Sequence, residues 1–502
     1  MLDAATKALA EARWDHALAL LDGCEEWPLD LAEHAVLVKA DTIARRDPGA
    51  ALAWLAATDD LVQSDEARFT RELLTGRAYV NARNFDAASA RFERARSLAD
   101  RLPSGPARLA YQLTRLRWCR RTGTADDPDI ALALTDPDPS GRAAAYVMRG
   151  WMHAITGNFP LLISDFRAAM DIAQASNHTC DVGTIARTVH TLARVGFETA
   201  DSAAVEAARA VYEGLRWTDE VIVERFQTVR VLGMDACVRG DTARAQWLLR
   251  DATLFAPTPA WKALAHLDRA WVARTAGNEA WALDEIEEAA RLAQGVAWGE
   301  TFNEERFALF VLAVMLAPID TGRAQRFAAT FSKVGLQNLT PISAATSDVR
   351  TAGYEKYATG KIEQMLGNRD LALAPLTEAY NIFAIINYHH QAMLCAQALA
   401  SVTGDALWTE RAREHIAHYP GSPLLNDNRP APHIRDPIVE GLTPFQLRLA
   451  RAHSAGLEVA ALSRQFSRSA YTIEHNLRAV YEAFDVRDLN GLRVAARARG
   501  LS

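Results

Sequence analysis

The chain has 502 residues, of which 49% are apolar and 23% charged, and carries a formal net charge of −7. That profile excludes a disordered chain and leaves room for two or more domains around a large buried core. The charge is uneven: from Gly441 onward nine arginines stand against five acids, a net +4, which leaves −11 on the remainder, so a polyanion contact is expected at one end only.

At the N-terminus, "MLDAATKALAEARWDHALALL" has no basic head followed by an apolar stretch and a small-residue cleavage site, so no secretory signal is expected. No run of about 18 apolar residues predicts a membrane span, and a cytoplasmic location follows by default. Cys24, Cys119, Cys180, Cys237 and Cys395 form no C-x-x-C pair. They read as single thiols buried in helices in a reducing compartment rather than as metal or redox ligands.

Helical hairpins are expected up to about residue 418. "EARWDHALALLDGC", with Trp14, Ala17 and Leu21, reads as the second half of a degenerate first copy. "GRAYVNARNFDAASARFERA" places Gly76, Tyr79, Ala88, Phe92 and Ala95 at alternating small and large offsets. A small residue lets two antiparallel helices approach, and a large one fills the groove beside it. The offsets recur at Gly150, His153, Gly157, Phe159, Phe166 and Ala169, and at Gly233, Ala236, Gly240, Ala245, Leu249 and Ala252. Weaker copies run through Ala270, Gly277, Ala282 and Ile286, then through Gly360, Gly367, Ala372 and Leu376. "DSAAVEAARAVYEGL", from Asp201, is one of the helical segments between them.

This region resembles the tetratricopeptide superhelix, which implies a continuous concave face able to hold a peptide, a small ligand or a partner protein. Trp261, Trp271 and Trp281 cluster within three expected helices and either line a pocket or, more commonly for such residues, pack helix against helix.

Enzymatic motifs are lacking. "GYEKYATGKIE" contains Gly353, Gly360 and Lys361 at what is expected to be a repeat hairpin, but the spacing and Ile362 depart from a phosphate loop. His389 and His390 are adjacent, so on a helix they diverge by about 100° and do not share a metal; they read as partly exposed or hydrogen-bonded side chains. Neither a G-x-S-x-G elbow nor H-E-x-x-H occurs. No catalysis, cofactor or metal is expected; an enzyme would require convergent acids or histidines in a deep cleft.

Between His418 and Gly441 the helical pattern stops. Pro420, Pro423, Pro430, Pro432 and Pro437 predict a semi-extended linker over residues 419–440. The tail then yields four helices. Thr443, Pro444 and Gln446 form the start of the first, with a capping box, and Gly456 ends it. Val459, Leu462 and Phe466 mark the second. Ser469 caps a third that buries Ile473, Leu477, Val480 and Phe484, and "LNGLRVAARARG" is the fourth.

A short helix, a tight turn and a longer helix form a helix-turn-helix arrangement. From Leu442 to Leu501 the segment resembles the C-terminal DNA-binding domain of LuxR-type transcription regulators. It carries Leu442-Thr443-Pro444, Ala455-Gly456-Leu457, Ser469, Thr472-Ile473, Leu477, Tyr481, Val486 and Gly500-Leu501 in the family's register.

The resemblance implies promoter DNA as partner, contacted by Arg464, Arg468, Ser469, Tyr471, Thr472, Glu474, His475 and Arg478. It also implies a homodimer paired through Leu489, Leu492, Arg493 and Ala496 of the last helix. Phe445-Gln446 replace the usual Arg-Glu, Glu474 replaces a lysine that approaches the DNA backbone, and Leu489 replaces an arginine. The expected protein is thus all-α: a tetratricopeptide-like solenoid over residues 1–418 that senses a ligand or partner, then a helix-turn-helix domain over 441–502. The alternative is an interaction scaffold whose terminal module does not contact DNA.

Overall fold

The computed structural model describes residues 1–425 and 442–498, apart from 12, 24–27, 46, 121, 176–181, 216, 302, 336–348, 455 and 467. Among the described residues every regular element is helical and none is a strand. No described helix is long and apolar enough to cross a membrane.

The hairpins follow from one local rule. Asp65–Asn81 pairs with Phe85–Ala99, Pro139–Ile155 with Phe159–Ala175, Pro259–Thr275 with Glu279–Ala293, and each first helix carries a small residue sixteen positions before a large one on the second. Gly76 lies against the Phe92 ring; at Gly150 a Cβ would come within 2.5 Å of Phe166, at Gly360 within 2.6 Å of Leu376, and at Gly233 within 2.8 Å of Leu249. Only hydrogen fits there, so the helix axes close up and the large side chain is fully buried. Burial of each is worth about 1.5–3 kcal/mol.

Seven residues after the small position the chain enters the left-handed region, at Arg83, Gly157, Gly240, Gly277 and Gly367. One residue later comes Asn84, Asn158, Asp241, Asn278 or Asn368, whose backbone N–H reaches back to Tyr79, His153, Ala236, Ala273 or Glu363 at 2.8–2.9 Å. The side chains of Asn84, Asp241 and Asn278 cap the following helix. One short turn thus ends one helix and starts the next.

The chain divides into two compact units. The first comprises Met1–Leu232, Asn338–Tyr357 and Thr377–Cys395. Its early part is a run of hairpins with one core cluster around Phe69, Leu73 and Phe92 and another around Leu2, Leu21 and Val38. The expected degenerate first copy is present, Trp14–Asp22 burying Ala17 and Leu21. Within this unit the later segments also pack against much earlier ones: the Phe159 and Tyr388 rings lie 4.7 Å apart, and a Cβ on Gly157 would come within 2.8 Å of Ile386. Repeats in a simple solenoid touch only their neighbours, so this unit folds back on itself.

The second unit comprises Gly233–Gln337, Ala358–Leu376 and Ala396–Ser502. Trp261 and Trp271 share the helix Pro259–Thr275 and Trp281 lies on its partner, so the three tryptophans occupy two helices rather than three. Trp261 is buried, and Trp271 and Trp281 pack on a core of Cys237, Leu249 and Val272. Burial pushes the Cys237 thiol up to about 12; Cys395 is buried and Cys119 half-buried, while Cys24 and Cys180 lie outside the described residues.

Two expectations change. "GYEKYATGKIE" is not a hairpin but the middle of the helix Val349–Met365; its glycines serve close packing, Gly353 against Phe383 and Gly360 against Leu376. The expected linker begins too early. Tyr419 is fully buried, with the Arg239 guanidinium 5.6 Å above its ring, and Gly421 packs on Gly240. Residues 419–425 are therefore part of the second unit, and 426–441 lie outside the described residues.

Candidate nucleic-acid interface

The tail builds the four expected helices, Pro444–Ser454, Val459–Phe466, Ala470–Ala483 and Leu489–Ala498. The capping box closes in both directions: the Thr443 N–H donates to Gln446 Oε1 at 2.9 Å, and the Gln446 N–H donates to Thr443 Oγ1 at 3.2 Å. Gly456, at φ +102°, ends the first helix. Ser469 accepts the Thr472 N–H at 3.1 Å and starts the third.

Two apolar clusters hold the helices together. Leu449, Leu462, Ile473 and Leu477 fix the first three, and Ala450, Val480, Phe484, Leu492 and Ala496 fix the fourth. Phe445 meets Phe466 edge-on at 5.8 Å. His453 Nδ1 donates to the Leu457 carbonyl at 2.7 Å, which leaves Nε2 to accept from the Tyr481 hydroxyl at 2.9 Å. Burial raises the Tyr481 pKa. Ala280 and Leu283, from the helix Glu279–Ala293, pack against the second cluster, so that side of the module is partly covered.

The opposite face is open. Arg464, Arg468, Ser469, Glu474, His475 and Arg478 are exposed and Tyr471 is 79% exposed. The Tyr471 and His475 rings stack at 6.4 Å. Thr472 is half-buried, its hydroxyl 2.8 Å from that of Ser469, so these two side chains act first as a helix start. All eight expected residues thus fall on one stretch, from the second helix through the turn to Arg478 in the third.

Its charge is graded along the helix. Arg464 and Arg468 lie near the N-terminus of the third helix, where the helix dipole adds partial positive charge. Glu474, Glu482 and Asp485 lie further along and, with Arg478 and Arg487, border an open groove beside His453. Glu482 and Asp485 escape a family-pattern reading because they are ordinary surface positions until the third helix is placed.

The dimer residues need correction. Leu492 and Ala496 are fully buried in the module's own core, and burying them there is what attaches the fourth helix. Leu489 is half-buried, and Arg493 donates to the Ser454 carbonyl at 3.1 Å. Among the described side chains of that helix, Val494 is a large apolar one that is exposed, at 71%. Arg499 lies outside the described residues.

A second polar site was not legible in sequence. Of the two readings of His390, partly exposed or hydrogen-bonded, the second holds: it is buried, its Nδ1 3.3 Å from Gln391 Nε2 and 3.7 Å from Glu198 Oε2. Glu198 is itself buried and accepts from the Tyr354 hydroxyl at 3.1 Å and from Gln391 Nε2 at 3.2 Å, with Arg194 Nε at 3.2 Å. Burial alone would raise the Glu198 carboxyl, but His390, Arg194 and Gln391 outweigh it and hold it below its ordinary value. The only sequence signal was the His389-His390 pair, and nothing local named its partner. Among the described residues no group of three or more histidines, cysteines and acids is placed to hold a metal.

No protein-family model matches the chain, and no curated protein matches it. Among solved structures it is similar to a Rap protein complexed with competence and sporulation factor, at 14% identity over 71% of this chain and 97% of the other, with a TM-score of 0.44. It is similar to the apo form of RapI at 10% identity, over 77% and 96% of the two chains, with a TM-score of 0.41. A P58(IPK) TPR domain matches at 15% identity, over 70% and 98%, with a TM-score of 0.18. At these scores the likenesses say nothing about what this chain binds.

Proposed function

We propose that the chain is a cytoplasmic DNA-binding regulator of the LuxR-type kind, in which a tetratricopeptide-like solenoid senses a peptide, small ligand or partner and the terminal module binds promoter DNA. The observation that carries the reading is the open recognition face: a capped helix, set by a tight turn, presents Tyr471, Thr472 and His475 beside Arg464, Arg468 and Arg478. A recognition helix uses its N-terminal residues on base edges, with flanking cations on phosphates. Glu474 has the chemistry to accept from a cytosine amino group. A homodimer on two half-sites would use Val494 and Arg493, since Leu492 and Ala496 are enclosed. Without a nucleotide-hydrolysing motif, switching comes from ligand-dependent populations of the solenoid.

The competing reading, a scaffold whose module does not touch DNA, is favoured by Glu474 and Glu482 on the same helix and Asp485 just after its end, which repel phosphates. Gel-shift titration of the full chain against genomic fragments at low salt separates the two. Retardation, with a footprint mapping to a two-half-site sequence, supports the regulator. A folded protein that retards nothing at 50 mM salt leaves the scaffold.

A further inference from the structure

We propose that the helix Thr242–Phe255 of the second unit is an interface with a second copy of this chain, the two helices lying antiparallel about a two-fold axis. The contact is carried by a repeat helix rather than by the terminal module and needs no DNA, so it goes beyond the function proposed above.

The helix has two faces. Ala245, Leu248, Leu249 and Ala252 are buried and attach it to the rest of the unit. On the opposite side Ala243, Trp247, Arg250 and Leu254 are exposed, with Asp251 half-buried beside them. At 3.6 residues per turn these five positions share an arc of about 100°. Trp247 is 61% exposed and Leu254 72%. Among the described tryptophans Trp247 alone is exposed, the others being buried or half-buried. Scattered apolar side chains on a surface are ordinary, but a tryptophan and a leucine two turns apart on one face form a patch.

The charges on this face are left over as well. On neighbouring hairpins they pair, Arg274 with Glu279 at 3.1 Å and Arg323 with Glu287 at 2.9 Å. Arg250 and Asp251 have no ion-pair partner among the described residues.

Their order names the occupant. Arg250 and Asp251 are adjacent, Trp247 stands three residues before them and Leu254 three residues after. Reversing the helix about the midpoint of Arg250 and Asp251 exchanges tryptophan with leucine and arginine with aspartate. A two-fold axis through that midpoint sets Trp247 against Leu254 of the other copy and Arg250 against Asp251 of the other copy, each contact made twice. An unrelated protein would have to supply an apolar patch and both charges in this order; the helix itself already does. Tryptophan and arginine are also the residue types that most often anchor interfaces. One helix from each copy makes a small interface, so dissociation in the micromolar range is expected.

The test is sedimentation velocity of the full chain without DNA, over about 1–100 μM. A Val494→Glu background keeps pairing through the terminal module out of the signal. A reversible dimer is expected, weakened about tenfold or more by Trp247→Ser or by Leu254→Ser. Arg250→Asp or Asp251→Arg alone sets like charges opposite each other and weakens the dimer. The double reversal R250D/D251R restores it, which a disturbance of the fold would not do. All of these side chains lie on the outward face, so helical signal and melting temperature stay unchanged. A monomer at every concentration overturns the proposal and leaves the face to a different protein. A dimer indifferent to Trp247→Ser and Leu254→Ser, or one that the double reversal fails to restore, overturns it too. None of these results depends on whether the terminal module binds DNA.

Discussion

Removing Arg464, Arg468 and Arg478 together should flatten the salt dependence of DNA binding without weakening the fold. All three are exposed, and Arg464 Nε makes a long 3.4 Å bond to the Ala460 carbonyl of its own helix. Surface substitutions of this kind change stability by about 0.5 kcal/mol or less. If each guanidinium meets one phosphate, each contributes about −0.9 to the slope of log K against log salt, about −2.7 for three. Between 50 and 200 mM salt the unmodified chain should therefore lose about 40-fold more affinity than the triple alanine variant. Glu474→Lys works in the opposite direction, adding one phosphate contact and steepening the slope by about 0.9, or about 3.5-fold over the same range. Fluorescence anisotropy with a duplex from the footprint, at four or five salt concentrations, measures both slopes. Parallel lines for the three proteins would refute the assignment of these side chains to the phosphate backbone.

Three further outcomes test the structure. Gly150→Val forces a side chain into Phe166 and should cost about 1–3 kcal/mol or more in urea unfolding; Gly214→Ala, where no atom lies within 4 Å, should be neutral or slightly stabilising. Thr443→Ala and Ser469→Ala each remove a helix start and should destabilise the terminal module by about 1 kcal/mol, read as earlier loss of the Tyr481 fluorescence environment. His190 is depressed from 6.5 to about 3 in the folded chain. Between those values the unfolded state takes up the proton and the folded state does not, so the histidine's effect on stability is neutral above about pH 6.5 and increasingly unfavourable as pH falls toward 3. The stability of the unmodified chain relative to His190→Gln should accordingly fall from pH 7 to pH 4.5, and pH-independent spacing of the two urea midpoints would contradict that environment.

The hairpins were legible because their determinants are local. A glycine and a phenylalanine sixteen residues apart, with a left-handed turn between them, specify one antiparallel contact at Gly76 and Phe92, where Asn84 also caps the second helix, and again at Gly150 and Phe166. The terminal helices were legible for the same reason, since Thr443, Gln446, Gly456 and Ser469 act over three or four residues. What periodicity cannot supply is the identity of the neighbour. Leu492 and Ala496 form an apolar stripe suited equally to a second copy or to the module's own core, and only the packing of Phe484 and Val480 assigned them to the latter.

Distance along the chain sets the same limit on the polar site. Glu198 meets Tyr354 and Gln391 across 156 and 193 residues, and the sequence leaves open whether His390 is partly exposed or hydrogen-bonded until the segment bearing it closes onto Phe197 and Glu198. By itself the sequence determined the helices, their turns and the pairing of neighbours, all governed by contacts within about twenty residues. Tertiary structure alone decided which distant hairpins meet and which charges become buried together, because those depend on the accumulated angles of every repeat between them, which no single spacing encodes.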